Sequence, residues 1–196
     1  MGHLTVIIGC MFAQKTTELV RRIRRYRSIG YNVLVVNSHR DTRYPLSGEG
    51  LGAGTGAGGG HIVTHDEKRE EAVMARTLSE VDEAVRSGRF QAVVVDEGQF
   101  FPDLFGCVTR WADEVAGMDV VVGGLDGTFQ REPFGDMLRL VPHAEEVLRL
   151  SALCARCRDG TKAVYSRRRV QADGQEVLVG AAEAYEPVCR RHYHEG

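Results

Sequence analysis

Hydrophobic positions follow two periods along this chain, and their alternation sketches a fold. A continuous apolar run over 4–8 stops at Gly9. Leu19, Val20, Ile23 and Tyr26 then recur at helical spacing, with Arg21, Arg22, Arg24, Arg25 and Arg27 largely on other faces until Gly30. Positions 33–36 are again a branched-apolar run, the pattern of a strand buried on both faces. Strand, helix and strand inside about 35 residues form a βαβ unit. Further buried strands are predicted over 90–95 and 120–122, and 147–150 reads as one more strand leading out of the sheet. Ala72, Ala75, Leu78, Val81 and Val85 predict a helix within 68–86, closed by Ser87-Gly88. Leu104, Phe105, Val108, Trp111 and Ala112 predict another, whose aromatics are either core or the floor of a pocket. The class is α/β: a parallel sheet flanked by helices.

Two stretches depart from this rhythm. Positions 48–60 are almost entirely small residues, too poor in apolar mass to pack, so a flexible Gly-rich loop is expected over about 46–61. Its flanks, Asp41-Thr42-Arg43 and Thr64-His65-Asp66, put polar groups beside strand ends, where doubly wound folds bind ligands; an ordinary surface loop has the same composition. In the tail, 163–170 and 176–179 flank Ala172-Asp173-Gly174 and predict a hairpin. The chain therefore divides into a main domain, 1–150, and a small one, 151–196.

Composition is that of an ordinary globular chain, with 43% apolar and 27% charged residues among 196. A net charge of -2, from 25 basic and 27 acidic residues, supplies no overall field toward nucleic acid or a membrane. No apolar stretch approaches the roughly 18 residues of a membrane span, and the start lacks a signal-peptide pattern, so a cytoplasmic protein is expected. The five arginines of the first helix are either a solvated face or a nucleic-acid contact.

Chemistry enters where strands end. Gly9, four residues, Gln14, Lys15 and Thr16 fill a phosphate-loop template with its second glycine missing. In that template backbone N–H groups wrap phosphates, the lysine neutralises them, and the hydroxyl can hold magnesium. The run at 90–95 ends in Asp96-Glu97, and an apolar strand ending in an acid is the partner such a loop needs to hold the metal. Glu97 is either a general base for an attacking hydroxyl or a solvent-facing acid. Cys154 and Cys157 form one short ligand pair, Cys189 and His192 another, with 31 residues between them. Four such ligands suit tetrahedral zinc; the alternative is three buried, unligated cysteines. Cys10 and Cys107 are left as free thiols, and Arg167, Arg168 and Arg169 are either phosphate contacts or an exposed strand edge.

Taken together, GCMFAQKTTEL, DTRY, THD, DEGQFFPD, LDGTFQREPF and the Cys-x-x-Cys with Cys-x-x-His tail resemble the type II thymidine kinases, nearly end to end. The resemblance implies a sheet domain binding ATP and Mg2+, a zinc domain whose lasso closes over thymidine, phosphoryl transfer to the 5′-hydroxyl, and a homotetramer. By motif position it implies Glu97 as general base and Arg43 as stabiliser of the transferring phosphoryl group. It assigns Gly9, Met11, Phe12, Ala13, Gln14, Lys15, Thr16, Thr17, Asp96 and Gln99 to ATP and magnesium, with Gln99 also a structural support. Met11, Phe100, Leu125, Phe129, Phe134, Ser166, Val179, Gly180 and Tyr185 fall to the nucleoside, which the lasso grips mainly through backbone groups. Cys154, Cys157, Cys189 and His192 fall to Zn2+.

Three departures from the family pattern stand out: Cys10 and Gln14 for the loop's usual proline and second glycine, Ala181 after Gly180, and the glycine-rich segment before Thr64. A positive φ at Gln14 would cost about 1–3 kcal/mol. Two other readings follow from these features: a catalytically weakened nucleotide- or nucleoside-binding protein, and a zinc-ribbon nucleic-acid-binding protein.

Overall fold

The computed structural model describes residues 1–40, 58–63, 69–169 and 184–195. Strand β1 (His3–Gly9), helix α1 (Lys15–Ser28) and strand β2 (Val33–Ser38) form the expected opening unit. Strands β3 (Gly58–Val63) and β4 (Arg69–Ala75) follow, then helix α2 (Asp82–Arg86), β5 (Ala92–Val95), helix α3 (Leu104–Glu114), β6 (Asp119–Gly124) and β7 (Glu146–Leu150). The sheet order is β3-β4-β2-β5-β6-β1-β7; the six strands from β4 to β7 are parallel, and β3 runs antiparallel at one edge.

The continuous apolar runs are explained by burial on both faces. Val36, Val95, Val122 and Val6 stand in register across four strands, all fully buried. On their face pack Leu78, Val85, Leu104, Val108, Trp111 and Met137. Leu19, Val20 and Ile23 of α1 cover the other face, against Ile7, Val35, Val94 and Val121. Each such side chain contributes about 1.5–3 kcal/mol by leaving water. The Trp111 indole N–H, inside this layer, donates to Asp82 at 2.7 Å.

Most arginines of α1 pair with acids of the chain itself. Arg21 and Arg22 pair with Glu18, Arg22 also with Glu146, and Arg24 and Arg27 with the buried Glu70. Four of the five arginines are thus paired with acids of the same chain.

The structure corrects two expectations. The helix predicted within 68–86 is strand β4, a 3-10 turn (Leu78–Val81) and α2. Ala72 packs in the α1 layer and Ala75 in the opposite one, which three residues' spacing gives in a strand but not in a helix. The expected Gly-rich loop of 46–61 loses its last part to β3, which pairs with β4 from Gly58 onward; 46–57, like 41–43 and 64–66, lies outside the described residues. In the tail, β8 (Ala152–Leu153) pairs with β9 (Lys162–Ala163), and β10 (Tyr165–Arg168) with β11 (Tyr185–Val188), followed by helix α4 (Arg190–His194). The described partner of 165–168 is thus 185–188, and the expected partner 176–179 lies outside the described residues.

Candidate active site

Gly9 ends β1 against β7, where a Cβ would strike the Leu150 carbonyl oxygen. The chain then turns through Phe12 and Gln14, both at φ 64°, and Gln14 caps α1 from the left-handed region. Each left-handed non-glycine residue costs roughly 1–2 kcal/mol, so the loop is strained at the position where the template has glycine. The N–H of Met11 donates to Ser166 Oγ at 2.9 Å, and Lys15 Nζ donates to the Cys10 carbonyl at 2.9 Å. Lys15 is 8% exposed, its ammonium held within the loop. Burial pushes the Cys10 thiol up, so it is a small apolar filler at neutral pH.

Across from the loop, β5 ends in two acids doing different things. Asp96 is buried; its Oδ2 accepts Thr16 Oγ1–H at 2.9 Å and its Oδ1 accepts the Glu97 N–H at 2.9 Å. A threonine hydroxyl and a carboxylate converging at the first turn of α1 is the donor set a hard divalent cation takes. Glu97, at φ 53°, opens a 3-10 turn (Gly98–Phe100) and aims elsewhere. Its Oε2 accepts Gln99 Nε2–H at 2.5 Å, while Gln99 Oε1 accepts the Leu125 N–H at 2.9 Å. Gln99 thereby fastens the second acid to the loop after β6.

The remaining described nucleoside candidates are held by contacts of their own. Phe100 and Phe134 meet edge to face with centroids 5.6 Å apart. Phe129 is held by its carbonyl, which accepts Tyr193 O–H at 2.8 Å, and lies under the Arg168 guanidinium at 5.1 Å. Tyr185 is buried opposite Arg168 in the β10–β11 ladder. Arg43, Val179 and Gly180 lie outside the described residues.

The four tail ligands come together. Cys157 Sγ and Cys189 Sγ are 3.8 Å apart, and His192 Nδ1 lies 3.4, 3.3 and 3.5 Å from the sulfurs of Cys154, Cys157 and Cys189. A tetrahedron with Zn–S of about 2.3 Å and Zn–N of about 2.0–2.1 Å has edges of about 3.8 and 3.5 Å, so these residues fit the ion. All four ligand atoms lie within 4.8 Å of one another. Burial raises the Cys154 thiol, but N–H groups of Cys189, Cys157 and Arg156 and the His192 ring outweigh it and bring it to about 6.

Several contributors escaped the sequence reading. Tyr193 meets Phe129, and Gly98, Gly124 and Gly135 make room for Gln99 and Met137; Ser166, expected at the nucleoside, also meets the phosphate loop. Of these, only the paired glycines at the end of β6 carried a signal, since glycine at a strand end often marks a close approach. Tyr193, next to a candidate ligand histidine, carries no signal of its own in the sequence.

Comparison with known proteins agrees with this arrangement over almost the whole chain. A family model described as thymidine kinase matches residues 2–193. The thymidine kinase of Variola virus is 39% identical over 192 residues, covering 98% of this chain and 97% of that protein. Those of Vaccinia virus (strain Western Reserve) and Monkeypox virus are each 38% identical over the same share. With a match of this extent over the phosphate loop, the paired acids and the four-ligand cluster, the chain belongs to the thymidine kinase family.

Proposed function

We propose that this protein transfers the γ-phosphate of ATP to the 5′-hydroxyl of thymidine. The observation that carries the reading is the split between adjacent acids: Asp96 turns to Thr16 in the phosphate loop, and Glu97 turns to Gln99 and the loop at Leu125. One acid is thereby committed to the nucleotide side and the next to the acceptor side, as an in-line transfer requires.

In this reading the loop backbone from Gly9 to Thr17 and Lys15 cradle the phosphates. Thr16 and Asp96 would hold magnesium, which when bound offsets phosphate charge. Glu97 accepts the proton of the 5′-hydroxyl, and Gln99, fixed at both ends, keeps its carboxylate aimed. Phe100, Phe129 and Phe134 wall the acceptor pocket with Met11, Leu125 and Tyr185, and Ser166 lies at its border with the phosphate loop. Arg43 is assigned to the transferring phosphoryl group, and Val179 and Gly180 to backbone recognition of the base. Cys154, Cys157, Cys189 and His192 would hold zinc, which supplies rigidity to the tail rather than reactivity. The same reading takes 1–150 as catalytic domain and 151–196 as lasso domain of a cytoplasmic homotetramer, a state that light scattering reads directly.

The test is turnover of thymidine with ATP and magnesium beside deoxyuridine and deoxycytidine, repeated with Glu97→Gln. We expect thymidine to be phosphorylated, and the variant to bind it normally while turning over roughly 10²- to 10⁴-fold more slowly. An unchanged rate in the variant removes Glu97 as base. Absence of turnover in the parent protein overturns the assignment.

A further inference from the structure

The tail does more than hold its own four ligands together. Cys10 and Ala13 of the phosphate loop are buried in one cluster with Ala152, Cys154, Ala163 and Val188, and Phe12, Cys157 and Cys189 pack against it. Two directional contacts cross the same boundary. The Met11 N–H donates to Ser166 Oγ at 2.9 Å, and the Cys10 thiol donates to the Ala163 carbonyl at 3.4 Å. Ser166 is 6% exposed and is anchored in the β10–β11 ladder, whose second strand leads directly into Cys189.

The segment these contacts grip is the strained one. Met11 lies between two buried anchors, Cys10 and Ala13, and is followed by Phe12 and Gln14 in the left-handed region. Strained residues persist only where their surroundings over-determine them. At Gln14 the template's glycine would adopt this conformation without penalty. Contacts from outside the loop help hold this version in shape, and the tail hairpins supply two directional ones.

We infer that the metal-bearing hairpins are a buttress for the phosphate loop, with Ser166 a positioning residue for the nucleotide, and that this clamp is what lets the loop carry glutamine at position 14. The inference rests on the reading of residues 9–17 as an ATP site. It does not require that thymidine be the acceptor. Coupling runs from the four-ligand cluster through β10 and β11 into the Met11 amide, so the tail acts on ATP.

The experiment is a double-mutant cycle read by calorimetric binding of Mg·ATP with no acceptor present, using Ser166→Ala, Gln14→Gly and the pair. In the glutamine background, loss of the hydroxyl leaves the Met11 amide without its acceptor, and the Kd for ATP should rise on the order of 10-fold. In the glycine background the same change should cost about 2-fold or less, because an unstrained loop needs no clamp. Zinc content should stay within about 2-fold of the parent in both, and thymidine affinity should do so in Cys10→Ala. Cys10→Ala, which leaves Ser166 in place, should show the same ATP-selective loss in smaller size and guards against a fold failure of the serine variant. Equal losses in both backgrounds, a loss confined to thymidine, or no ATP binding by the parent protein overturns the inference. A parent that binds ATP and shows the coupling but does not phosphorylate thymidine would refute the proposed activity alone.

Discussion

Two glycine-to-alanine changes separate the site's packing from generic glycine effects. At Gly124 a Cβ would lie 2.7 Å from Gln99 Oε1 and 2.8 Å from Met137 Sδ. Met137 is a pliable thioether and can yield in part. Gln99 cannot, since it is 5% exposed and bonded at 2.9 Å to the Leu125 N–H and at 2.5 Å to Glu97. Displacing it forfeits a neutral hydrogen bond of about 0.5–1.5 kcal/mol and a charge-assisted one of about 1.5–3 kcal/mol. Overpacking adds about 1–3 kcal/mol where the neighbours do not yield. With partial relaxation we expect Gly124→Ala to destabilise by about 2–4 kcal/mol. Gly106 sits inside α3 with nothing within 4 Å of a Cβ, so Gly106→Ala should stabilise by about 0.5–1 kcal/mol. Urea unfolding measures both. Thymidine turnover should fall about 10- to 100-fold in the first variant and hold in the second, since only the first disturbs the Glu97 carboxylate. A Gly124→Ala protein within about 0.5 kcal/mol of the parent and fully active would refute the claim that Gln99 is locked.

Asp82 should contribute to acid sensitivity: burial raises its carboxyl, but the Trp111 N–H and the Arg110 and Arg86 guanidinium groups outweigh it and hold it below 3.8. A depressed folded value means stability present above 3.8 and lost as pH falls below it, so Asp82→Asn should be less stable at neutral pH and lose less on acidification, read by denaturation midpoints from pH 7 to 3. Tyr193→Phe removes the 2.8 Å bond to the Phe129 carbonyl and should raise the KM for thymidine about 3- to 10-fold while leaving that for ATP unchanged; equal changes in both would refute a role confined to the acceptor side. Cys189→Ala should abolish stoichiometric zinc, read by metal analysis, and lower the melting temperature; retention of bound zinc would exclude Cys189 as a ligand.

Legibility in the sequence followed local periodicity. The runs of β1, β2, β5 and β6 could be read because strands buried on both faces need apolar residues at every position. Strand β4 could not, because its alanines and glutamates carry little β preference and Ala72 and Ala75 sit at a helix-compatible spacing. Strand β3 begins Gly-Gly-Gly and is made a strand by pairing with β4, which no local signal announces. Of the site, the phosphate loop, the paired acids and the four tail ligands were legible because their chemistry demands particular residue types at particular spacings. Tyr193, the glycines around Gln99 and the contact of Ser166 with the phosphate loop were not, since these contacts span from 26 to 155 residues and nothing in a serine or tyrosine says what its hydroxyl will meet.

The backbone itself marks the same site by breaking its own rules. Among the described residues, positive φ outside glycine occurs at Phe12, Gln14, Glu97, Arg131 and Arg158. Two are in the phosphate loop, one is the second acid, one is in the loop after β6, and one is in the knuckle between Cys157 and β9. At about 1–2 kcal/mol each, the first three alone cost roughly 3–6 kcal/mol, a large share of the 5–15 kcal/mol by which a domain is stable. At Glu97 the need is geometric. Two successive strand residues point to opposite faces, yet Asp96 must reach Thr16 while Glu97 stays at the same sheet end beside Gln99. A left-handed turn at Glu97 ends the strand at once and lets both acids work from one edge. The Phe100 N–H to Glu97 carbonyl bond, at 3.0 Å, and the Gln99 amide then hold the turn. Strain is thus concentrated where side chains from β1, β5, β6 and the tail converge, and it is held there by contacts from distant parts of the chain.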